Sequence, residues 1–439
     1  MNINATFRVV AATILLVLSA SVAQSFSIQE VKSPGGITAW LVSEKAIPLI
    51  AMNFAFKNGT ANDPAGKDGL TTFLTGMLDE GAGSISSSEF QQKRDALAFR
   101  MSFSAGRDDF EGSFQTLSRN RGESFELLRL AITEPRFDPG PLERVRQQFL
   151  LNVRDKAEDP QNIAFNRFMD MALPGDAYAR MDDGTEATIA AVTAADLGAT
   201  HKRIFTRDTL QVTVVGDIDA AELGPLLDNI FGGLPATSER PKLPPVEPRQ
   251  GPETTTFERD MTQSVIVFGH EGIKREDPEF IPAYLMSEIL GGGGFSSRLT
   301  EEIREKRGLT YGVGMGLSPL DRAGLFVGVL QTRNESAGDA LKLVREVLAS
   351  MAEKGPTQQE LDEAKTFLTG SYALRFTSNG AIASQLLGLQ QQNLGIDYVN
   401  RRNAMIEAVT LDQVKAQAKR LLHPERLIVS IVGKPQGLN

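Results

Sequence analysis

We predict an α+β fold of two homologous domains, each a mostly antiparallel sheet with helices packed on one face, from three features of the sequence. The chain has 439 residues, which is too long for one ordinary domain. Its two halves repeat the same order of strand and helix patterns. Between them, residues 235–252 contain six prolines, and such a density disfavours a helix and favours an extended linker.

The strands and helices follow from apolar periodicity. In the first half we predict strands and helices in this order: strands 38–42 and 48–56, helices 67–78 and 89–99, strands 101–105 and 109–115, helices 119–133, 141–156, 161–171 and 194–205, strand 210–215 and helix 220–231. In the second half we predict strand 265–269, helices 279–290 and 296–306, strands 310–317 and 324–331, helices 337–353, 358–376, 381–393 and 411–422, and strand 428–432. The last predicted strand of each half is apolar and is followed by a glycine, Gly216 or Gly433, which supports duplication.

Composition excludes several classes of function. The chain has no cysteine, so disulfides, thiolate catalysis and cysteine-based zinc sites are excluded. Its net charge of −9 disfavours a nucleic-acid partner, which a basic surface would bind. Any metal ligands must be His, Asp or Glu. The three histidines, His201, His270 and His423, form no pair at ligand spacing, and each is interpreted as a surface or core residue.

The N-terminal residues have the pattern of a secretory signal. Arg8 precedes the short apolar run 9–18, and the small residues 19–23 follow it. The run is shorter than the ~20 residues that a spanning helix needs. We therefore predict a signal peptide at 1–25, export to the periplasm, and no membrane span after cleavage. The predicted domains are 26–234 and 253–439, joined by the linker 235–252; an uncleaved anchor is the alternative for the signal.

One segment of the first half contains the residues that flank a known catalytic motif but lacks the metal ligands and the general base of that motif. Asn-Gly-Thr at 58–60 is followed at 69–78 by Gly-Leu-Thr-Thr-Phe-Leu-Thr-Gly-Met-Leu. The flanking residues resemble those of the insulinase/pitrilysin metallopeptidases, in which His-x-x-Glu-His places two zinc ligands on one helical face with a general base between them. By that resemblance Thr72, Thr75 and Gly76 stand where the first His, the Glu and the second His would be. Asn152 stands near the third ligand position, and these side chains are not ordinary zinc ligands.

A second segment resembles the Arg/Tyr motif in the other domain of this family. Four glycines at 291–294 lead to Ser-Ser-Arg-Leu at 296–299 and to Gly-Leu-Thr-Tyr-Gly at 308–312. By resemblance, Arg298 binds a peptide carbonyl or carboxylate and Tyr311 donates a hydrogen bond to the developing oxyanion. Gly292, Gly293 and Gly294 let the backbone approach a ligand closely. Two structural alternatives stay open: Arg298 as a salt-bridge partner of nearby glutamates, and Tyr311 as a packed strand residue.

The combination predicts a non-catalytic subunit of a two-subunit zinc peptidase. The resemblance implies a homologous partner that carries His-x-x-Glu-His and the zinc, a peptide substrate, and no cofactor bound by this chain. The runner-up is an exported peptide-binding or scaffold protein with no catalytic partner. A third reading, a metallopeptidase with another ligand set, has few clustered ligand-type residues to support it.

Overall fold

The structure, a computed structural model, describes residues 27–237, 240–292 and 297–438. The predicted signal segment 1–25 lies outside the described residues. Within the described ranges, no helix is both long and apolar enough to span a membrane. Two main sheets are present, and the proline-rich stretch 240–252 runs between them without helix or strand.

The first sheet has six strands in the order β1-β2-β8-β3-β7-β6. All of its pairings are antiparallel except the parallel pair β2 and β8. A two-stranded hairpin, β4 and β5, stands apart from it. The strands of this half are β1 (Gln29–Lys32), β2 (Thr38–Ser43), β3 (Leu49–Phe56), β4 (Gly81–Ala82), β5 (Ile85–Ser86), β6 (Arg100–Ala105), β7 (Phe110–Leu117) and β8 (Leu210–Gly216).

The second sheet repeats the first with one strand fewer. Its order is β11-β12-β10-β13-β9, and β13 with β9 is again the one parallel pair. Strand for strand, β9, β13, β10, β12 and β11 correspond to β2, β8, β3, β7 and β6, so the duplication predicted from element order extends to strand direction. The strands are β9 (Glu253–Glu258), β10 (Gln263–Glu271), β11 (Thr310–Pro319), β12 (Gly324–Arg333) and β13 (Ile428–Gly433).

Helices supply the second layer of each half. In the first half they are α1 (Leu70–Thr75), α2 (Ser87–Leu97), α3 (Arg121–Thr133), α4 (Pro139–Glu158), α5 (Pro160–Ala172), α6 (Glu186–Ala190), α7 (Ala194–Ile204) and α8 (Ala220–Phe231). In the second half they are α9 (Phe280–Ser287), α10 (Ala337–Lys354), α11 (Gln358–Gly370), α12 (Asn379–Gln391), α13 (Tyr398–Glu407) and α14 (Leu411–Leu421).

Each half has its own apolar core, and each half also packs one helix against the sheet of the other half. The main helical layer packs on one face of each sheet, as predicted. On the opposite face, α5 of the first half packs through Phe168 against Val265 and Val267 of the second sheet. Reciprocally, α12 of the second half packs through Ile382 and Leu386 against the first sheet. The buried apolar surface of both exchanged helices holds the two halves together.

A polar joint also connects the halves where the β6–β7 turn meets the β11–β12 turn. Lys57 Nζ lies 2.9 Å from Asp321 Oδ2 and 4.0 Å from Asp109 Oδ1. The backbone N–H of Asp321 donates to Asp108 Oδ2 at 3.1 Å. Three carboxylates therefore surround one lysine at this contact between the halves.

Several element bounds differ from the predictions for local reasons. The helix predicted at 67–78 is only α1, because Gly69 is left-handed (φ 86°) and the helix ends at Gly76. The helix predicted at 358–376 is α11 followed by a 3₁₀ segment at Ser371–Phe376. The helix predicted at 296–306 contains a π-helical turn over Thr300–Glu305 among its described residues. Strand β9 was missed because it is polar and largely exposed, so it lacks an apolar pattern.

Candidate functional site

Helix α1 carries the positions where the zinc motif would lie, and the hydroxyl groups at two of these positions form hydrogen bonds to backbone oxygens within the same domain. The hydroxyl of Thr72 donates to the backbone oxygen of Asp182 at 2.5 Å. The hydroxyl of Thr75 donates to the backbone oxygen of Thr72 at 2.6 Å. Both groups therefore satisfy backbone carbonyls, and they contribute no metal ligand of the usual imidazole or carboxylate kind.

Aromatic packing fills the space beside Gly76. A Cβ added at this position would lie 2.8 Å from Phe149 Cε2 and 3.2 Å from Val145 Cγ1. The Phe149 ring stacks on Phe73, with ring centroids 5.0 Å apart. Asn152, one turn further along α4, is exposed. The second-ligand position therefore has no room for an imidazole, and the third faces solvent.

The carboxylates nearest this helix are paired with arginines. Arg203 Nη2 lies 3.0 Å from Asp63 Oδ1, and the hydroxyl of Thr71 donates to the same carboxylate at 2.5 Å. Arg107 Nη1 lies 3.0 Å from Asp182 Oδ2. In the part of the chain that the structure describes, no group of three or more His, Cys, Asp or Glu residues has the arrangement of a metal site.

Two histidines that are distant in sequence are neighbours in space. The rings of His270 and His423 have centroids 5.9 Å apart, and the backbone N–H of His423 donates to His270 Nε2 at 3.4 Å. Burial lowers the pKa of His270 to about 4, so its ring is neutral at pH 7. His201 lies elsewhere, with Nε2 2.8 Å from the backbone oxygen of Ile132. These contacts fit structural roles.

Tyr311 is the most exposed of the large apolar and aromatic side chains that the structure describes in the second half. It lies on β11, the outer strand of its sheet, and is 90% exposed. The register with β12 shifts between Thr310 and Val313, which is a β-bulge. The hydroxyl of Thr310 donates to the backbone oxygen of Gln331 at 2.6 Å and accepts from the N–H of Gly312 at 3.1 Å. The hydroxyl of Thr310 and the N–H of Gly312 therefore have hydrogen-bond partners within the strand pair. Tyr311 projects into solvent rather than packing on the sheet.

Arg298 and Tyr311, the two named residues of the Arg/Tyr motif, line different cavities. Arg298 lines a cavity of about 690 Å³ on the helical side and forms an ion pair with Glu360. Tyr311 lines a cavity of about 460 Å³ together with Arg304. Arg304 was not singled out from the sequence, although it stands seven residues before Tyr311 in the same motif. Arg333 of β12 lines the same cavity, so Arg304 is the arginine of the motif, though not the sole arginine, that shares a cavity with the exposed tyrosine.

The glycine run begins in close contact with β11. A Cβ at Gly291 would lie 2.6 Å from the backbone nitrogen of Met315, so no side chain fits there. A Cβ at Gly292 would lie 2.7 Å from Glu288 Oε2. Gly293 and Gly294 lie outside the described residues. Close packing against the β11 backbone therefore requires glycine at Gly291, whereas at Gly292 the nearest atom is the movable end of the Glu288 side chain.

Comparisons with known proteins agree with this arrangement. A family model described as the peptidase M16 inactive domain matches residues 191–368. A non-peptidase homologue from Helicobacter pylori is 27% identical over 341 residues, which are 77% of this chain and 78% of that protein. An uncharacterized zinc protease from Mycobacterium tuberculosis is 26% identical over 401 residues, 89% of each chain.

A crystal structure of a peptidase M16 inactive domain from Pseudomonas fluorescens superposes with a TM-score of 0.86 at 29% identity, covering 93% of this chain and 98% of that one. Its likeness extends over both halves. The relatives include proteins named as peptidases and one named as a non-peptidase, whereas in this chain the metal-motif positions are Thr72, Thr75 and Gly76. The comparisons therefore support the resemblance of this chain to the insulinase-type M16 peptidases and to inactive homologues among them: residues 191–368 match the inactive-domain model, and the likeness to an M16 inactive-domain structure covers 93% of the chain.

Proposed function

We propose that this chain is the non-catalytic subunit of a two-subunit zinc peptidase that hydrolyses peptides or unfolded segments in the periplasm. Its partner is a homologous subunit that carries His-x-x-Glu-His and the zinc ion. The observation that carries the proposal is Tyr311: a tyrosine 90% exposed on a bulged outer strand, beside Arg304. A bulge that directs a tyrosine into solvent has little value for the stability of this chain, because the ring buries almost no area.

Tyr311 and Arg304 have complementary chemistry for a peptide. In the partner's site, zinc and its glutamate supply the activated water. The Tyr311 hydroxyl donates a hydrogen bond to the carbonyl oxygen as negative charge develops on it. The Arg304 guanidinium binds an adjacent carbonyl or carboxylate of the substrate. Arg298 acts as a positioning residue, because it lines a cavity separate from that of Tyr311 and pairs there with Glu360.

Strand β6 offers an edge to which an extended peptide can add. It is the outer strand of the first sheet and pairs with β7 on its other side. Along its length, exposed Arg100, Ser102 and Ser104 alternate with half-buried residues. Peptides that add to such an edge gain main-chain hydrogen bonds with little dependence on sequence. This edge supports a substrate that is an extended or unfolded segment.

The first test is tagged purification from the native host, with mass spectrometry and zinc analysis of the proteins that co-elute. We expect a near-equimolar homologue bearing His-x-x-Glu-His in the periplasmic fraction, with zinc in proportion to that partner. A chain that elutes alone and metal-free would contradict the proposal and favour the binding or scaffold reading. Stoichiometric zinc in the chain alone would instead point to an unrecognised ligand set.

A further inference from the structure

The cavity of about 460 Å³ beside Tyr311 has a cationic lining that is rich in amide groups. Among the residues that the structure describes, two arginines and no carboxylate line it: Arg304, from the segment before β11, and Arg333, the last residue of β12. Gln263 and Gln331 add two side-chain amides. This local excess of positive charge contrasts with the net charge of −9 of the whole chain.

Strand β12 sets the direction of the Arg333 side chain. Gln331 and Arg333 are exposed, and they alternate along the strand with residues that are buried. One of these buried residues, Leu330, belongs to the core under the helical layer. Because successive side chains of a strand point to opposite faces, Gln331 and Arg333 lie on the face away from that layer. Arg333 is also the register partner of Gln263 on β10, so an amide from the neighbouring strand lies beside it.

Both arginines of the cavity have a glutamate beside them, and the pair of Arg333 is weak. Arg333 Nε lies 3.5 Å from Glu335 Oε1, and these two side chains are 63% and 59% exposed. Arg304 Nε lies 3.6 Å from Glu305 Oε1. Neither glutamate lines the cavity. An exposed ion pair of this kind contributes little free energy, so Arg333 can exchange Glu335 for a carboxylate that enters the cavity.

We propose that this cavity binds a carboxylate of the substrate, from an acidic side chain or from the free C-terminus of a peptide, and that Arg333 selects it. The planar guanidinium presents its N–H donors as a fork that matches the two oxygens of a carboxylate. Tyr311 lines the same cavity, so the selected group lies close to the carbonyl that Tyr311 contacts in the proposed reaction. That place in the reaction rests on the proposed function, whereas carboxylate binding is a property of this chain alone.

The test is fluorine NMR of the full chain labelled with fluorotyrosine, in which the Tyr311 signal is assigned by its loss in Tyr311→Phe. Three peptides are titrated. Acetyl-Ala-Glu-Ala amide carries a side-chain carboxylate, acetyl-Ala-Gln-Ala amide carries none, and acetyl-Ala-Gln-Ala with a free C-terminus carries a terminal one. We expect a carboxylate peptide to shift the Tyr311 signal and to bind about tenfold more tightly than the neutral amide, the size of one hydrogen bond to a charged group.

Two variants at the cavity should act in opposite directions. Arg333→Gln should remove the preference for the carboxylate and leave the binding of the neutral amide unchanged. Glu335→Gln should strengthen binding of the favoured peptide by about two- to fivefold, because it removes the carboxylate that competes for Arg333. Arg119→Gln, at an exposed position of the first half outside this cavity, should have no effect. All three positions are exposed, so unchanged melting temperatures exclude misfolding as the cause of lost binding.

A preference for the Glu peptide would support the inference with an acidic side chain as the source, and a preference for the free C-terminus would support it with the terminal carboxylate. Equal binding of the three peptides, or a preference that survives Arg333→Gln, would overturn it. The outcome for the two-subunit peptidase is separate. Carboxylate selection by a chain that purifies without a zinc partner would retain the cavity's selectivity and remove the peptidase role. A zinc partner that co-purifies with a chain lacking the preference would retain the peptidase role and remove the selectivity.

Discussion

Arg298 and Glu360 form a two-point ion pair, with Nε 2.5 Å from Oε1 and Nη2 2.8 Å from Oε2. Arg298 Nη2 also donates to the backbone oxygen of Gly355 at 3.0 Å. Glu360 in turn accepts from the backbone N–H of Thr357 at 2.7 Å and so caps α11. One arginine thus connects the segment after the glycine run to the start of a neighbouring helix.

The first prediction concerns this ion pair. Arg298→Met should lower the free energy of unfolding by ~1–3 kcal/mol at neutral pH, because it leaves the Glu360 carboxylate without its main donor. Desolvation raises the pKa of Glu360, but the Arg298 pair and the hydrogen bonds from Thr357 outweigh it and lower the pKa to about 2. Its contribution is therefore present above the unfolded pKa of about 4.5 and is lost as pH falls toward 2. Urea unfolding at neutral and acidic pH measures the difference.

The matched control for Arg298→Met is Lys342→Met. The Lys342 side chain is 76% exposed, and its ion pair with Glu346 is 3.9 Å long. Its replacement should change the free energy of unfolding by less than ~0.5 kcal/mol. Equal effects of the two substitutions would contradict a structural role for the Arg298 pair.

The second prediction concerns Tyr311. Tyr311→Phe should reduce kcat of the assembled enzyme by about 100-fold, since the substitution removes one donor to the oxyanion. The melting temperature and the assembly with the partner should not change, because the side chain is 90% exposed. Steady-state kinetics of the reconstituted complex provide the measurement. Unchanged kcat would remove the hydroxyl from the mechanism.

The third prediction separates Arg304 from Arg298. Arg304→Met should raise KM or lower kcat of the complex by about tenfold or more, because Arg304 shares the cavity of Tyr311. Arg298→Lys, which keeps the charge but not the two-point geometry, should affect stability more than turnover. Kinetics and urea unfolding on both variants give the comparison. The reverse pattern would return the substrate-binding role to Arg298.

The fourth prediction concerns the filled metal-motif position. Gly76→Ala should lower the free energy of unfolding by ~1–3 kcal/mol, because its Cβ lies 2.8 Å from Phe149. The control is Gly122→Ala in α3, where a Cβ meets no atom within 4 Å. That substitution should be neutral or stabilising by up to ~1 kcal/mol through helix propensity. Thermal unfolding of both variants provides the comparison.

The same crowding predicts the result of rebuilding the motif. A chain with Thr72→His, Thr75→Glu and Gly76→His should bind no zinc tightly, because Phe149 occupies the space of the second imidazole. Adding Phe149→Ala should improve zinc affinity by opening that space. Zinc titration with a competing chelator distinguishes the two chains. Tight zinc binding by the chain that retains Phe149 would contradict this expectation and would show that the Phe149 ring moves aside for the second imidazole.

The fifth prediction concerns pH and the joint between the halves. Burial raises the pKa of Asp109 to about 7; Lys57 opposes the shift, and Asp321, Asp108 and Glu111 add to it. Because the folded pKa is above the unfolded one, the stability contributed by this group is full below about pH 4 and is lost as pH rises toward 7. Asp109→Asn should therefore stabilise the chain at about pH 8 and have little effect at about pH 4.

Urea unfolding across this pH range tests the Asp109 prediction. The control is Asp95→Asn, since the side chain of Asp95 is 77% exposed. Its effect should be small at every pH in the series. A stability difference for Asp109→Asn that stays constant with pH would show that Asp109 titrates normally in the folded chain.

Sequence patterns predicted most of the strands and helices, because apolar periodicity depends on residues that are close together in the chain. The apolar runs around Phe54 and Val214 predicted strands. In the structure, α2 and α11 begin at capping boxes formed by Ser86 with Glu89 and by Thr357 with Glu360, which are also local in sequence. The repeated element order predicted the duplication. Strand β9 and helix α13 escaped prediction, since tertiary contacts rather than apolar periodicity stabilise them.

The sequence by itself determined that the zinc motif is absent, because that follows from residue identity at Thr72, Thr75 and Gly76. Only the tertiary structure decided which arginine accompanies Tyr311. Arg298 and Arg304 are six residues apart in one motif, but Glu360, 62 residues beyond Arg298, pairs with it. That pairing depends on the packing of α11 against the motif, a contact between distant segments that no local pattern specifies.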